Sequence, residues 1–421
     1  MWTSSHASSP RPRSSQPIVL SAGLLGLSTL LSISAWPAVS AAGPCSGVPN
    51  PVVVSGSPSA EALVQAVGRV LQINDPKPLT IVWKLDSSCG GVESVALDSL
   101  PGSCAPGACI TGKAKFWTLD SRDTAPKTCD LDAAGTHVDL ALSDVFPQTC
   151  PAFSGAKPAG ILDTTGPITP YAVVMAKSGP EAAIQAEEAH FVFGAGKAAG
   201  VKPWLNDATI FLLGDKDAGQ LILGPRVKLA VGKWHGKLVT SSDDIFSGLQ
   251  NDPATAIGIL PTTIADSHRA TDARVMAFQA IGQHGAFYPD RRSTTFEKQN
   301  VRDGHYPLWG YLHMILRADP VQPTMPKSAN GARVASILLA QSQVGGQDVL
   351  PMQVAAGFVP QCAMHIARTD DVSAPSVYAP PDPCHCWFEK NVPNGMPSCA
   401  ACPDGKTCAI GKCRRNFCEV Q

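Results

Sequence analysis

Fourteen cysteines fall in two groups, six early (45, 89, 104, 109, 129, 150) and eight late (362, 384, 386, 399, 402, 408, 413, 418), with none between 150 and 362. Each group is even. In an oxidising compartment this predicts bridges made within groups, three early and four late, with Cys362 tying the tail to the segment ahead of it. The pairing inside each group is left open by sequence. Cys384-His385-Cys386 and Cys399-x-x-Cys402 have the look of zinc ligands, but an exported chain spends such cysteines on bridges.

The amino terminus points the same way. Arg11 and Arg13 precede the apolar run Ile18–Ile33, and Val39-Ser40-Ala41 supplies the small residues of a cleavage site. This reads as a secretory signal peptide over 1–41, removed after about Ala41. The expected location is the periplasm, or the extracellular space or cell surface. Lys plus Arg total 33 against 34 for Asp plus Glu, a net charge of -1. That balance gives no electrostatic reason to expect nucleic acid as a partner.

The body alternates strands and helices. Val52–Ser55 is a β-branched strand, and Ala60, Leu63, Val64, Val67, Val70 and Leu71 follow with helical periodicity. Leu79–Leu85 is a second strand, with a short helix from about Val92. Lys113–Leu119 and Val138–Leu142 are further strands. Beyond Pro170, strands are expected at Tyr171–Ala176, Thr209–Leu213, Ala256–Leu260 and Val275–Ala280. Helices are expected at Pro180–Val192, Asp217–Leu223, Ile245–Gln250, Trp309–Leu316 and Ala332–Gln341. The order predicts an α/β fold of two lobes. Residues from about 375 are dense in Pro, Gly and Cys without periodicity, so bridges must hold them in place of a core.

Two hydroxyl-rich loops lie just before helices. Ser55-Gly56-Ser57 opens the first, and Ser87-Ser88-Cys89-Gly90-Gly91 opens the second. Helix starts present unpaired N–H groups and the positive end of the macrodipole, so two such starts on one cleft can hold an anion without lysine. The bland alternative is that Ser57 and Ser87 are ordinary caps. Ser143-Asp144 follows a strand, and a carboxylate there accepts a proton from a monoprotonated oxyanion while repelling a fully ionised one.

In this order the loops resemble the type II periplasmic solute-binding proteins, in particular the phosphate-binding component of bacterial phosphate ABC transporters. The resemblance rests on Ser55-Gly56-Ser57, Ser87-Ser88-Cys89-Gly90-Gly91 and Leu142-Ser143-Asp144. Ala189–Gly194, Pro203–Asn206 and Gln299–Trp309 resemble a secreted branch of such proteins. It implies a two-lobed type II binding-protein fold with an added disulfide-rich C-terminal module. The first lobe would be discontinuous, 42–167 and 275–375, the second 168–274, and the module 376–421. It also implies ligand contacts at Ser55, Gly56, Ser57, Ser87, Ser88, Gly90, Gly91, Ser143, Asp144, Gly219 and Gln220.

The second-lobe stretch departs from that family. Family members present an arginine and a Ser-Gly-Thr helix start; here the chain reads Gly214-Asp215-Lys216-Asp217-Ala218-Gly219-Gln220. Two hydroxyls and the bidentate donor are replaced, Lys216 is a point charge at best, and Asp215 and Asp217 oppose an anion.

His284, His305 and His313 read as surface or core-edge residues and not as metal ligands. No Gly-x-Ser-x-Gly elbow, Walker loop or His-Glu-x-x-His pattern occurs. The expectation is a non-catalytic binding protein for phosphate or a related small oxyanion, without cofactor or metal. Its expected partners are an ABC transporter permease or a cell-surface or matrix component met through the Cys-rich tail. The alternative is a secreted scaffold or adhesion protein that kept the fold and lost tight anion binding.

Overall fold

The computed structural model describes residues 43–98, 104, 108–153, 155–402 and 407–420. The signal-peptide expectation, and most of the Cys/Pro/Gly-rich stretch at 101–109, lie outside the described residues. No helix among the described residues is long and apolar enough to cross a membrane.

The run Val52, Val53, Val54 is buried on both faces, as β-branched residues in a central strand are, and forms β1 (Pro51–Gly56). Helix α1 (Glu61–Ile73) lays Leu63, Val64, Val67 and Leu71 on the sheet. β2 (Thr80–Lys84) then pairs parallel to β1, and helix α2 follows over Ser88–Ala96. Antiparallel β3 (Lys113–Phe116) and β4 (Lys127–Asp130) finish that edge, and β5 (Leu140–Ser143) flanks β1 on its other side in parallel.

Strand β6 (Ile161–Ala176) is 16 residues long and serves two neighbourhoods. Beyond it come β7 (Ala183–Gln185), helix α3 (Ala186–Ala195), β8 (Phe211–Leu212), helix α4 (Ala218–Val227) and β9 (Lys237–Leu238). Helix α5 (Ser242–Asn251), β10 (Ile257–Pro261), helix α6 (Thr262–His268), β11 (Ala273–Val275) and β12 (Ala277–Gln279) follow. β10 and β11 pair antiparallel with the last third of β6, and β12 pairs with β7. The 274–275 division expected from sequence falls inside β11.

After helix α7 (Gln299–Arg302) the chain returns as β13 (Trp309–Arg317), antiparallel to both β5 and β6. The strand order β10-β6-β13-β5-β1-β2-β3-β4 therefore runs through both halves. Helices α8 (Ala329–Leu338) and α9 (Leu350–Ala355) close the first half.

Trp309–Leu316 is thus a strand and not the expected helix. Every residue from Trp309 to Leu316 is buried, so the segment is covered on both faces. Such a run carries no period, and its Trp, Tyr and Ile content suits a doubly covered strand. The Pro180–Val192 expectation also shifts: Ala183–Gln185 is strand and the helix begins at Ala186, where Gln185 and Glu188 form a capping box.

All fourteen cysteines are paired, and none crosses between groups. The bridges are Cys45–Cys129, Cys89–Cys150 and Cys104–Cys109, then Cys362–Cys384, Cys386–Cys399, Cys402–Cys413 and Cys408–Cys418. The C-terminal module carries the hairpins β14 (Ile366–Ala367) with β15 (Ser376–Val377) and β16 (Lys412–Arg414) with β17 (Phe417–Glu419), around helix α10 (His385–Asn391). It is welded to the body beyond Cys362–Cys384. Buried Arg302 donates to the Glu389 carboxylate at 3.0 Å, and its guanidinium lies over Phe388.

Candidate functional site

The carboxyl ends of β1 and β5 meet the start of α2 where two backbones approach closely. Gly56 has φ +134, and a Cβ on it would lie 1.9 Å from the Leu142 carbonyl oxygen. A Cβ on Gly91 would lie 2.5 Å from the Gly56 Cα. Both positions need glycine for packing. The chain can then turn so that the Ser57 N–H donates to the Leu142 carbonyl at 2.9 Å and its side chain faces inward.

At the centre is Asp144, fully buried. Its Oδ2 accepts from the hydroxyls of Ser57, Ser59 (2.7 Å) and Tyr171 (2.7 Å), and its Oδ1 accepts from Thr169 (2.6 Å). Its backbone N–H donates to Ser88 Oγ at 3.1 Å. Four buried hydroxyls therefore converge on one carboxylate that belongs to the protein itself. Beside Asp144 the Tyr171 phenol is raised well above its ordinary range, first by burial and then by that negative charge.

The second half presents Asp217, the N-cap of α4, whose Oδ1 accepts from the Gly219 N–H at 2.8 Å. Burial pushes the Asp217 carboxyl up to about 7; the Gly219 N–H opposes this and the charge of Asp144 adds to it. The helix α2 start is covered from the same side: the Cys89 N–H donates to the Lys216 carbonyl at 3.1 Å. The Lys216 ammonium turns away to Glu93 at 2.5 Å. A cavity of about 530 Å³ opens between the halves, lined by Ser59, Glu61, Asp86, Asp217, Asp243 and Lys115 among others. Lys115, the cation in this lining, is paired with Glu61, so the mouth offers an anion no unpaired lysine or arginine among its lining residues.

Of the residues anticipated from sequence, Ser57, Ser88 and Asp144 come together here. Gly56 and Gly91 act through packing. Ser87 is the cap of α2 and accepts from the Gly90 N–H at 3.2 Å, the bland role weighed for it. Ser55 sits within β1, opposite Lys84 and Ala141. Ser143 turns its hydroxyl to the Val145 carbonyl at 2.7 Å. The Gly219 N–H goes to Asp217, and Gln220 accepts from the Gly214 N–H at 2.6 Å, so both serve their own turn. Ser59, Thr169 and Tyr171 were not anticipated. Ser59 could have been read from its place two residues after Ser57; Thr169 and Tyr171 depend on strand register. Ser87→Ala is expected to destabilise by about 1 kcal/mol, as a lost cap does, with the heat of phosphate addition unchanged; urea unfolding and calorimetry check the two halves of that statement.

No family model matches the chain, and no curated protein matches it in sequence. It is similar to a solved structure assigned as a phosphate ABC transporter substrate-binding protein with bound phosphate from Clostridium perfringens. That likeness has 12% identity, covers 74% of this chain and 99% of the other, and has a TM-score of 0.47. An ABC-type phosphate transport receptor from Vibrio cholerae is similar at 10% identity, with 74% and 100% covered and a TM-score of 0.46. The reduced OxyR regulatory domain from Pseudomonas aeruginosa is similar at 12% identity, with 69% and 95% covered and a TM-score of 0.37.

Proposed function

We propose that this chain is a non-catalytic, extracytoplasmic solute-binding protein whose cleft takes phosphate or a related oxyanion weakly, and only as a proton-carrying species. One observation supports this above others: the Asp144 carboxylate already occupies the hydroxyls of Ser57, Ser59, Thr169 and Tyr171. An incoming anion must take hydroxyls from a carboxylate that repels it, unless it brings a proton for that carboxylate. The second half presents Asp217, with Ala218 and Gln220 where the resembled family has hydroxyls, and with no arginine on the strand before them. One lost charge-assisted hydrogen bond costs about 1.5–3 kcal/mol, on the order of ten- to a hundredfold in affinity. Seven bridges support the oxidising compartment.

Titration calorimetry on ligand-stripped protein tests the reading. Phosphate is expected to bind weakly, and more tightly at pH 5.5 than at pH 8. Tight binding that strengthens as pH rises overturns it. A second reading, a secreted scaffold or adhesion protein, is favoured by the way Cys362–Cys384 and Arg302–Glu389 fix the tail to the body as one surface. Absence of any phosphate heat at either pH selects it. Under the first reading a transporter permease is the expected partner, and under the second a cell-surface or matrix component.

A further inference from the structure

Two of the seven bridges, Cys104–Cys109 and Cys408–Cys418, have neither cysteine buried; each of the other five has at least one buried partner. The first of the two also has a histidine against it. Ile110 and Thr136 form an isolated antiparallel bridge, exchanging N–H···O bonds of 3.1 and 2.8 Å. Antiparallel register then sets the next residues out, Cys109 and His137, side by side. His137 Nδ1 lies 3.7 Å from Cys109 Sγ. A nitrogen of this ring and both sulfurs of the bridge fall within 4.8 Å of one another.

The ring is held in that place. Its Nδ1 is 2.7 Å from Oδ2 of Asp98, which lies two residues past α2 and is buried. The same Asp98 oxygen is paired with Arg317 on β13. A carboxylate engaged by arginine accepts and does not donate, so it orients the imidazole and favours its protonated form. The His137 side chain is half exposed, so the ring exchanges protons freely with water.

Disulfide exchange with a thiol is governed by access to the attacked sulfur and by the stability of the thiolate that leaves. A thiolate is stabilised beside a protonated imidazole. Cys109 is the sulfur in contact with His137, so it is the better leaving group, and Cys104 is the sulfur attacked.

We propose that Cys104–Cys109 is a thiol–disulfide exchange site, reversibly reduced by an external thiol, with His137 receiving the leaving Cys109 thiolate and Asp98 as the positioning residue for His137. The external thiolate attacks Cys104 Sγ. The bond between the two cysteines breaks, its electron pair goes to Cys109 Sγ, and a mixed disulfide joins Cys104 to the thiol. A second external thiolate attacks the outer sulfur of that mixed disulfide and releases Cys104. Two external thiols thereby lose two electrons and two protons as they become one disulfide, and the bridge gains both as it becomes two thiols.

The test uses the disulfide-intact protein, with reduced glutathione as the probe and a reduced protein dithiol run beside it; the faster of the two names the source of the thiol. Samples are quenched in acid, alkylated and mapped as peptides, so that each bridge is followed separately. Cys104–Cys109 is expected to open roughly tenfold or more faster than Cys408–Cys418 in the same molecule, with the glutathione adduct trapped on Cys104. His137→Gln should remove that advantage and leave the Cys408–Cys418 rate unchanged. Asp98→Asn should slow opening severalfold. By charge alone it would speed departure of a thiolate, since it leaves Arg317 unopposed, so slowing reports on the position of the ring. Equal rates at the two bridges, an adduct on Cys109, or no effect of His137→Gln overturns the proposal. If a variant fails to fold, the relative rate and the position of the adduct in the unmodified protein decide.

Discussion

Asp144→Ala is expected to destabilise the fold by about 3–5 kcal/mol, the range left once water partly refills the gap at about 1–3 kcal/mol per unsatisfied group. The substitution leaves four buried hydroxyls, on Ser57, Ser59, Thr169 and Tyr171, without their acceptor. It also relieves Asp217 of a like charge, which holds the loss below the simple sum. Asp144→Asn keeps the shape and one oxygen. The amide then best places its oxygen toward Ser57, Ser59 and Tyr171 and forfeits Thr169 alone, for a cost of about 1–2 kcal/mol. Urea unfolding followed by near- and far-ultraviolet circular dichroism measures both. An alanine variant within experimental error of the parent would mean that the hydroxyls do not depend on this carboxylate.

Asp217→Asn is expected to stabilise the protein, and only above mildly acidic pH. The folded carboxyl is raised from its ordinary 3.8 to about 7, so between those values the unfolded chain ionises and the folded chain does not. Stability tied to this group is therefore whole below pH 4, is lost as pH rises toward 7, and is flat beyond. At about 1.4 kcal/mol per pH unit, the full loss is up to about 4 kcal/mol. Asparagine is as good an N-cap as aspartate, so the bond from the Gly219 N–H survives. The difference between variant and parent should be near zero at pH 4 and approach its full value at pH 8. An equal gain at both pH values would place its origin outside this ionisation.

The parts of the molecule that the sequence makes legible are those whose chemistry is local. Even cysteine groups, a β-branched run before an amphipathic period, and a serine ahead of a glycine pair each lie within a few residues. They lead to the bridges, to β1 with α1, and to the α2 start. Asp144 was legible because it ends a strand. Its partners on β6 were not, because Thr169 and Tyr171 reach it only through the pairing of β6 with β13 and of β13 with β5. β13 itself was hidden by its own burial: a strand covered on both faces has no alternation to read. The spent state of the anticipated site was hidden for a related reason. Serines that cap a helix and serines that hold a ligand are the same residues until the position of the neighbouring carboxylate is known.

Strand β6 carries a mechanical consequence. Its residues 161–170 are laddered to β13 and residues 171–175 to β10, so the two halves share one continuous beam. A beam of this kind resists stretching and yields most readily in torsion. Pro170, which has no N–H to give to a ladder, sits where one pairing hands over to the other. Thr169 and Tyr171 flank it, and both hold Asp144. The point where the ladder changes partner is thus also the point clamped by the buried carboxylate. A twist of one half against the other is felt first as strain in those two hydroxyl contacts, and it is there that the beam is braked.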